Sequence, residues 1–483
     1  MGKDDWKVHK FGGSSLADPA CFRRVTDILL SEDPAPLAVV VSAMGGMTDA
    51  LLSLISAAEA GPGEIGSGLE AISARYRSAV HDLLASTPAA GEVLAAFEAD
   101  LADASDVLHA ISLVRSAADR SRDLVAGFGE LWSSRLLAAF IRQEAAARAP
   151  ELAVNWLDAR QLIVVEQGEL GPGVLWQASA AKAAELFASK RNGITVITGF
   201  IAADEAGLHT TLGRNGSDFS ASIVGSLLAA DSITIWTDVD GVLSADPNRV
   251  PEAAVISELS YNEAMELAYF GAKVIHPQTM SPAVERAIPI WIRNTFNPQA
   301  RGSRIASAGS GDDQIKGITS ISQVSLVNLE GAGMIGVPGT ADRLFGALRD
   351  SGISVILISQ ASSEHSICFA VPERNSVAVE EVVRQAFVSE LDQGQIQRVE
   401  VQHGCSIIAV VGDGMAGLPG LAAKFFDTLG SADINVRAIA QGSSERNISA
   451  VIDSEDTTRA LRAAHSGFYL SAKTLSVGLI GPG

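Results

Sequence analysis

An internal repeat in the last third of the chain limits its possible fold more than any other feature of the sequence. The segment 333–339 (GMIGVPG) returns as 414–420 (GMAGLPG), and 360–364 (QASSE) returns as 441–445 (QGSSE), at one offset and without gaps. Each copy predicts a strand, a Gly/Pro turn, a helix and two further strands, which together make a small α+β module. The chain therefore carries two copies of one module, an arrangement typical of a paired sensor.

The sequence before this repeat has a different rhythm. From about residue 8 to residue 305, short apolar runs alternate with longer amphipathic stretches, which predicts an α/β fold with a largely parallel sheet. Strands are predicted at Lys7–Phe11, Leu37–Ser42, Ala153–Leu157, Gly193–Phe200, Ser232–Thr237 and Pro289–Asn294. Functional residues of such sheets gather where strands end, and the residues in those places are Lys10, Ser42, Asp158, Gly199 and Asp238.

Two other stretches shape the expected organisation. Residues 70–84 and 93–113 have the apolar spacing of amphipathic helices, and their charged residues are predicted to form a solvated face. The glycine-rich polar segment 309–313 is the best candidate for a linker.

Length and charge narrow the class of protein. A chain of 483 residues with 47% hydrophobic and 19% charged residues can bury several cores, so two to four domains are expected. Its net charge of −20 argues against a nucleic-acid or anionic membrane partner. The apolar runs have the length of strands, and the three cysteines are widely spaced, which favours a soluble protein of the reducing cytoplasm.

The first candidate for chemistry is the segment 8–15 (VHKFGGSS). Its glycines allow backbone N–H groups to face an anion, Lys10 adds a positive charge, and Ser14 or Ser15 could cap a helix over residues 20–30. These features predict a phosphate site. The segment matches neither common nucleotide-binding motif, so an ordinary strand-to-helix turn stays open as the alternative.

Two further polar segments follow predicted strands. In 210–220 (TTLGRNGSDFS), Arg214 offers a fork suited to a carboxylate or phosphate, and Ser217 or Asp218 could cap a helix over 220–229. The segment 236–242 (WTDVDGV) could hold a nucleotide or Mg²⁺, although its Asp-Gly pair is also ordinary turn chemistry.

Taken together, these segments resemble the successive motifs of aspartate kinases, which belong to the amino acid kinase family. The matching segments are 10–15, Gly129-Glu130 with Ser133, 212–220, 236–241 and 259–277. The repeated modules resemble the paired ACT domains that follow this catalytic domain. The resemblance implies an amino acid kinase fold, a largely parallel sheet between helices, followed by two ferredoxin-like ACT modules. It places the catalytic domain at 1–308 and the modules at 316–395 and 396–475.

The resemblance also implies an activity and its residues. The activity would be phosphoryl transfer from ATP with Mg²⁺ to the β-carboxylate of L-aspartate, which begins the biosynthesis of the aspartate-derived amino acids. Catalytic roles fall to Lys10 and Asp218, and aspartate binding to Ser42, Thr48, Glu130, Arg214 and Ser217. ATP binding falls to Lys10, Gly12, Gly13, Ser14, Thr237, Asp238, Lys273 and Val274. No metal site in the protein alone is implied.

Regulation and assembly are further implications. Gln360 and Gln441 match glutamines that contact an effector, which is expected to be threonine, with lysine as the alternative, and ACT modules imply a homodimer or higher oligomer. Leu243 stands where an aromatic residue often borders the nucleotide, and Asn248 interrupts a common Asp-Pro-Arg sequence. Both substitutions weaken the expected ATP contacts there.

Three alternatives stay open. The chain could be a catalytically silent ACT-based amino-acid sensor, or a kinase for another small amino acid such as glutamate. Residues 473–483, which enter a G-x-G, read as the start of a dinucleotide-binding strand at 476–483 or as a frayed terminal strand. With Asn215, which is typical of the fused enzymes, the first reading predicts the kinase portion of a bifunctional aspartate kinase–homoserine dehydrogenase, with no dehydrogenase activity in this chain.

Overall fold

The computed structural model describes residues 6–32, 36–85, 87–168, 171–188, 190, 192–271, 276–309, 314–360 and 365–470. These residues form two compact units. The first unit lies between residues 1 and 242, at 257–261 and between 274 and 309, and the second contains 243–256, 262–273 and the chain from 310 onward. The chain therefore contributes two segments, 243–256 and 262–273, to the second unit and returns to the first unit after each of them. It continues in the second unit after residue 309. The linker candidate and the predicted strand at 476–483 lie mostly or wholly outside the described residues.

The first unit is built on a sheet that has eight strands in the described residues, in the order β10-β12-β11-β9-β1-β2-β6-β3. Neighbouring strands are parallel, except that β11 and β12 are antiparallel. The strands are β1 Lys7–Phe11, β2 Leu37–Val41, β3 Val154–Leu157, β6 Ile194–Thr198, β9 Ser232–Thr237, β10 Glu258–Ser260, β11 Ile290–Asn294 and β12 Ser303–Ala306. Two hairpins are formed by β4 Val165–Gly168 with β5 Gly171–Val174, and by β7 Ile201–Ala203 with β8 His209–Thr211. The predicted α/β fold with a largely parallel sheet is confirmed.

Helices accompany this sheet. They are α1 Pro19–Leu30, α2 Met47–Ala60, α3 Ile65–Leu84, α4 Pro88–Val114, α5 Asp119–Arg148, α6 Trp176–Leu186, α7 Gly216–Leu227 and α9 Pro277–Glu285, whereas α8 Tyr261–Tyr269 belongs, except for its first residue, to the second unit. Among the described residues, α5 is the one helix long and apolar enough to cross a membrane by length and composition. Because 89% of its apolar stretch is buried inside the protein, α5 has the character of a core helix.

The helix starts differ from the expected capping. The oxygen of Asp18, and not of Ser14 or Ser15, accepts from the backbone N–H of Cys21 at the start of α1. Ser15 is buried, and its hydroxyl lies 2.7 Å from that of Thr295. The second predicted helix begins at Gly216, before the candidate caps Ser217 and Asp218, with Asn215 at its N-cap. The predicted serine caps were therefore wrong for both helices. The N-cap residue of α1 is Asp18, which follows Ser14 and Ser15, and the N-cap residue of α7 is Asn215, which precedes Ser217.

The second unit contains the two repeated modules. Its strands are β13 Gly317–Glu330, β14 Leu357–Gln360, β15 Ser366–Pro372, β16 Arg398–Val411, β17 Ala438–Gln441 and β18 Asn447–Asp453. Its helices are α10 Thr340–Asp350, α11 Ser376–Ala386, α12 Val388–Asp392, α13 Leu421–Ser431 and α14 Thr457–His465. The strands form one antiparallel sheet in the order β14-β15-β13-β16-β18-β17.

The long strands β13 and β16 are shared between the modules. Residues 324–330 of β13 pair with β15, and residues 326–330 also pair with residues 398–402 of β16, which completes the first module. Residues 317–321 of β13 pair with 407–411 of β16, whose residues 405–411 also pair with β18, and this completes the second module. The first module is thus inserted into the second. The predicted boundary at residue 395 follows the sequence repeat, whereas the strand pairing crosses it.

Residues 243–256 pack on the second module. Ala245 and Val250 are buried in one apolar core with Phe425, Leu429 and Leu461. The Ser244 hydroxyl lies 3.0 Å from Nε2 of His465, and the Ser244 carbonyl accepts from the backbone N–H of Ile318. The segment that follows the predicted nucleotide motif is therefore part of the fold of the second module.

Candidate active site

One cleft of the first unit brings most of the predicted catalytic and aspartate-binding residues together. It has a volume of about 560 Å³. The predicted residues that line it are Lys10, Gly13, Ser42, Thr48, Glu130, Arg214, Ser217 and Asp218. They come from the ends of β1 and β2, from α2, from α5 and from the start of α7, which lie far apart in the sequence. The fold collects these side chains at one place because parallel strands end at the same edge of the sheet.

Lys10 and Asp218 form a close ion pair in this cleft. The Nζ of Lys10 lies 2.6 Å from an oxygen of Asp218, and the two side chains are 11% and 13% exposed. A Cβ atom built on Gly12 would lie 3.5 Å from the Lys10 ammonium. Glycine thus leaves space beside a cation that is already held in one orientation. Next to Lys10 on β1, His9 is buried, and burial lowers its pKa to about 3, so this imidazole stays neutral.

Glu130 is a buried carboxylate at the wall of the cleft. One of its oxygens accepts from the backbone N–H of Ala43 at 3.3 Å. Its other oxygen has no hydrogen-bond partner among the described residues. Burial raises the pKa of Glu130 to about 8, against the smaller opposing effects of the Ala43 N–H and the Lys10 charge. A buried carboxyl group with an unused acceptor oxygen and a raised pKa is a candidate functional group, and a cation bound beside it would favour its ionised form.

Helix α5 holds Glu130 close to the strand end that carries Ser42. A Cβ atom on Gly129 would lie 2.8 Å from the Cβ of Ala43, so a larger residue there would push the helix away. The Ser133 hydroxyl donates to the carbonyl oxygen of Ser42 at 2.6 Å. These contacts explain why glycine, glutamate and serine occur together in this part of the sequence.

Arg214 lies on the exposed loop that precedes α7. The loop turns through two left-handed residues, Gly213 with φ +73° and Asn215 with φ +55°. Asparagine tolerates this conformation better than most residues, which explains how it can replace glycine there. Arg214 is exposed to solvent, so its guanidinium is available to an anion that enters the cleft.

Asp123 is a cleft residue that the sequence reasoning missed. One carboxylate oxygen accepts from the Thr211 hydroxyl at 2.9 Å, and the other accepts from the Thr211 N–H and the Thr210 hydroxyl, both at 3.2 Å. It thereby fixes the end of β8, from which the Arg214 loop departs. No motif marks Asp123, because its partners lie almost 90 positions along the chain.

Of the predicted ATP-binding residues, only Lys10 and Gly13 are among the described residues that line this cleft. The N–H of Gly12 donates to the carbonyl of Trp236, so residues 12–14 and Thr237-Asp238 lie at neighbouring strand ends. The Thr237 hydroxyl donates to Asp238 at 3.1 Å, and Asp238 and Ser14 are exposed. Lys273 and Val274 lie outside the described residues.

The two departures from the expected nucleotide pattern have a structural counterpart. The N–H and side-chain amide of Asn248 both donate to Asp246, at 2.9 and 3.1 Å, which closes a local turn. The guanidinium of the next residue, Arg249, donates to the hydroxyl of Thr458 at 3.1 Å within the second unit. Leu243 makes an isolated strand bridge to Val255. In this chain, Asn248 and Arg249 are therefore engaged in local and second-unit contacts.

The described residues contain no group of three or more His, Cys, Asp or Glu side chains that could hold a metal ion.

The predicted effector residues occupy different settings in the second unit. Gln441 lines a cavity of about 310 Å³ beside the turn at 417–420 and the start of α13. Glu445, in the same cavity, accepts from the N–H of Gly417 at 2.6 Å. Gln360 is exposed at the end of β14. The roles assigned to all these residues from the sequence remain predictions.

Comparison with known proteins gives a consistent result for both units. Residues 5–294 match the amino acid kinase family, and residues 327–387 and 408–468 each match an ACT domain. The bifunctional aspartokinase/homoserine dehydrogenase 1 of Zea mays is 44% identical over 99% of this chain, which spans 52% of that relative. The lysine-sensitive aspartokinase 3 of Escherichia coli is 30% identical, over 96% of this chain and 99% of that relative.

Solved structures support the same likeness. Escherichia coli aspartokinase III in complex with aspartate and ADP, in the R-state, has a TM-score of 0.79 and 28% identity, covering 96% of this chain and 99% of that one. The same enzyme in complex with lysine and aspartate, in the T-state, has a TM-score of 0.77 and 28% identity, covering 96% of this chain and 100% of that one. The chain spans about half the length of the bifunctional plant relatives that it matches.

Proposed function

The chain belongs to the aspartokinases of the amino acid kinase family and carries two ACT domains, and from this premise we propose that it transfers the γ-phosphoryl group of ATP to the β-carboxylate of L-aspartate. The product would be the acyl phosphate 4-phospho-L-aspartate. One observation carries the proposal. The cleft places a buried carboxyl group with one unpartnered oxygen, Glu130, and an exposed guanidinium, Arg214, around the same space as the Lys10 ammonium.

These charges match the charges of the substrate. Glu130 would pair with the α-ammonium of aspartate and Arg214 with its α-carboxylate, while Ser42, Thr48 and Ser217 offer polar groups along the lining. Binding the α-ammonium and α-carboxylate in this way leaves the β-carboxylate free to react. An amino acid with both α-groups free is therefore favoured over one whose amino group is blocked.

The reaction requires little acid–base catalysis from the protein. The β-carboxylate is ionised at neutral pH and attacks phosphorus directly, so no general base is required. The barrier falls through alignment and through stabilisation of the charge on the transferring group. We assign the stabilising cation to Lys10, and we assign to Asp218 the role of holding that ammonium in place.

Binding of ATP is proposed for the neighbouring strand ends. Gly12 and Gly13 leave room for phosphate oxygens beside Lys10, and Thr237 and Asp238 would contact the rest of the nucleotide. Mg²⁺ bound to the phosphates would neutralise part of their charge. Escherichia coli aspartokinase III in complex with aspartate and ADP supports this pair of ligands.

A coupled assay tests the proposed function. With L-aspartate, ATP and Mg²⁺, the protein is expected to release ADP and, when hydroxylamine is present, to give aspartyl hydroxamate. L-glutamate and N-acetyl-L-aspartate serve as comparison substrates, and both are expected to react far more slowly. Hydroxamate formation no higher than in a reaction without enzyme would overturn the proposal, and faster reaction with glutamate would reassign the substrate.

We also propose that the second unit binds a regulatory amino acid, with threonine favoured and lysine as the alternative. The cavity beside Gln441 combines the backbone N–H groups at the start of α13 with the carboxylate of Glu445, which suits an α-carboxylate and an α-ammonium. Its volume of about 310 Å³ suits a single small amino acid. To inhibit, such a ligand must bind the less active state more tightly than the active one.

Thermal unfolding distinguishes the two effectors. A ligand at 100 times its Kd stabilises the folded protein by about 2.7 kcal/mol, enough for a measurable rise in Tm. We expect this rise with threonine, and we expect Gln441→Ala to remove most of it while Gln385→Ala, on α11, leaves it unchanged. A rise with lysine alone would assign the effector to lysine, and an equal response in Gln441→Ala would place the site elsewhere.

Assembly and location complete the proposal. A homodimer or higher oligomer formed through the ACT modules is favoured by the exposed apolar side chains of Ile358 and Ile439, on the edge strands β14 and β17. A cytoplasmic location is favoured by free thiols at Cys21, Cys368 and Cys405. The identity with bifunctional relatives supports a kinase portion that operates next to a homoserine dehydrogenase.

A further inference from the structure

Arg75, on α3, bridges two loops of the candidate active site. Its Nη2 donates to the carbonyl oxygen of Gly45 at 2.6 Å and to that of Ala17 at 3.0 Å. Ala17 ends the turn that contains Gly12, Gly13 and the two serines, and Gly45 lies in the turn between β2 and α2. One guanidinium group therefore ties the two loops together from outside the cleft.

The backbones of the two loops approach each other closely. A Cβ atom on Gly45 would lie 3.0 Å from the carbonyl oxygen of Gly13 and 3.2 Å from the Cβ of Ala17. A Cβ atom on Gly13 would lie 3.3 Å from the carbonyl oxygen of Ala43. Glycine allows the two backbones to lie this close because it has no Cβ atom, but glycine also makes each loop more flexible. A separate group is therefore needed to hold the loops in one position. Arg75 supplies charged donors to a carbonyl on each side.

Arg75 is itself held by its neighbour in the sequence. The Tyr76 hydroxyl donates to the carbonyl oxygen of Trp132 on α5 at 2.9 Å, and the ring stacks on Phe97 of α4 with centroids 4.4 Å apart. Tyr76 is buried, so the position of α3 is set by the helix that also carries Glu130. A chain of contacts thus runs from α5 through Tyr76 and Arg75 to both glycine loops.

We propose that Arg75 is a positioning residue for phosphoryl transfer, a role that rests on the proposed kinase function. It sets the distance between the loop next to Lys10, which would receive the transferring phosphoryl group, and the loop next to Ser42 and Glu130, which would receive the amino acid. The two reacting groups approach each other across this junction. A shift of about 1 Å between them is enough to lower the rate on the order of 10²-fold.

Substitution of Arg75 separates this role from a general effect of charge or folding. Arg75→Met is expected to lower kcat on the order of 10–10²-fold, with smaller changes in KM for either substrate. Arg77→Met is the matched control, because Arg77 lies on the same helix and pairs with Glu98 on the surface, where both side chains are almost half exposed. Arg77→Met is expected to stay within about twofold of the wild type. Arg75→Lys, which keeps the positive charge and an N–H donor group, is expected to regain part of the loss.

Amide hydrogen exchange gives a readout that does not need activity. Peptides covering 12–17 and 43–47 are expected to exchange faster in Arg75→Met than in the wild type or Arg77→Met, because the Ser15 and Met47 amides close these turns. Peptides from α4 should remain unchanged. Equal exchange in the three proteins would overturn the proposal, as would equal kcat in Arg75→Met and Arg77→Met. A wild type without kinase activity but with the expected exchange would instead refute the proposed function alone.

Discussion

Replacing Lys10 with methionine is expected to lower kcat for hydroxamate formation by about 10²–10³-fold, because the substitution removes the cation assigned to the transferring phosphoryl group. Charge stabilisation supplies much of the barrier lowering in phosphoryl transfer, and methionine preserves the length of the side chain without its charge. The KM for aspartate is expected to change much less, since Glu130 and Arg214 are assigned to its α-groups. The assay is steady-state kinetics with both substrates varied.

The ion pair with Asp218 complicates this experiment and also supplies its best control. Removing the ammonium leaves a mostly buried carboxylate without its partner, which destabilises the fold by a few kcal/mol. The double variant Lys10→Met with Asp218→Asn removes that charge and is expected to recover stability in urea unfolding without recovering kcat. If kcat returned with stability, the loss would belong to folding and the catalytic role of Lys10 would be refuted.

Lys7 provides a second control on the same strand. Its ammonium lies 3.5 Å from Glu32, and both side chains are partly exposed, so this pair contributes little. Lys7→Met is expected to keep kcat within about twofold of the wild type. A loss as large as that of Lys10→Met would mean that charge on β1, and not the position of Lys10, controls the rate.

The sequence predicted the central sheet well for a physical reason. The predicted strands at residues 7–11 and 232–237 have those bounds in the structure, and the others differ by one or two residues at one or both ends. Strands buried on both faces are continuous apolar runs, which the sequence displays directly. The short strands β10 and β12 were missed because segments of three or four residues leave no periodic signal.

The sequence predicted only those residues of the candidate site that lie at the ends of strands or within recognisable motifs. Lys10, Ser42 and Arg214 follow apolar runs or glycines, and the structure places all three at one cleft. Arg75 and Asp123 act on the same cleft through carbonyls and hydroxyls that are distant in sequence. The charged residues around Arg75 were predicted to form a solvated face. That prediction was wrong for Asp100, which is mostly buried, accepts from Trp132 and pairs with Arg135, whereas Arg75 is exposed as predicted and still donates to two carbonyl oxygens.

The sharing of strands β13 and β16 between the two ACT modules could not be predicted from the sequence either. Strands β13 and β16 each read as one run of 14 residues, and nothing in the run shows that its two halves belong to different modules. The same is true of residues 243–256, whose apolar residues Ala245 and Val250 enter the core of the second module. This segment directly follows the Thr237-Asp238 motif in the chain.

Glu130→Gln is expected to raise the KM for aspartate about 10²-fold or more, with a smaller change in kcat. The substitution keeps the shape of a side chain that is buried and touches Ala43, but it removes the negative charge assigned to the α-ammonium. An interaction made equally in the ground state and the transition state affects KM more than kcat. Glu144→Gln, on the exposed side of the same helix, is the matched control and is expected to leave KM unchanged.

The raised pKa of Glu130 predicts a pH dependence whose sign follows from the charge. Burial raises this pKa to about 8 in the unliganded protein, so at neutral pH most molecules carry a neutral Glu130. Aspartate needs the ionised form, and its ammonium would lower the pKa on binding. Consequently kcat/KM for aspartate is expected to rise about tenfold per pH unit between pH 6 and about 8 and then level off. In Glu130→Gln this rise should disappear.

The pH dependence of the free energy of unfolding tests the same pKa independently. This free energy is expected to fall as the pH rises, whereas kcat/KM is expected to increase. In the unfolded chain the pKa of this carboxyl group is near its ordinary value of 4.5, whereas in the folded protein burial raises that pKa to about 8. The folded state thus binds more protons between these values, and the free energy of unfolding falls as the pH rises, by at most about 1.4 kcal/mol per pH unit. Urea unfolding of the wild type and of Glu130→Gln isolates this contribution as the difference between the two proteins. A difference that stays constant from pH 5 to 8 would show that Glu130 is ionised in the free protein, and the site would then be a fixed anion waiting for its ammonium.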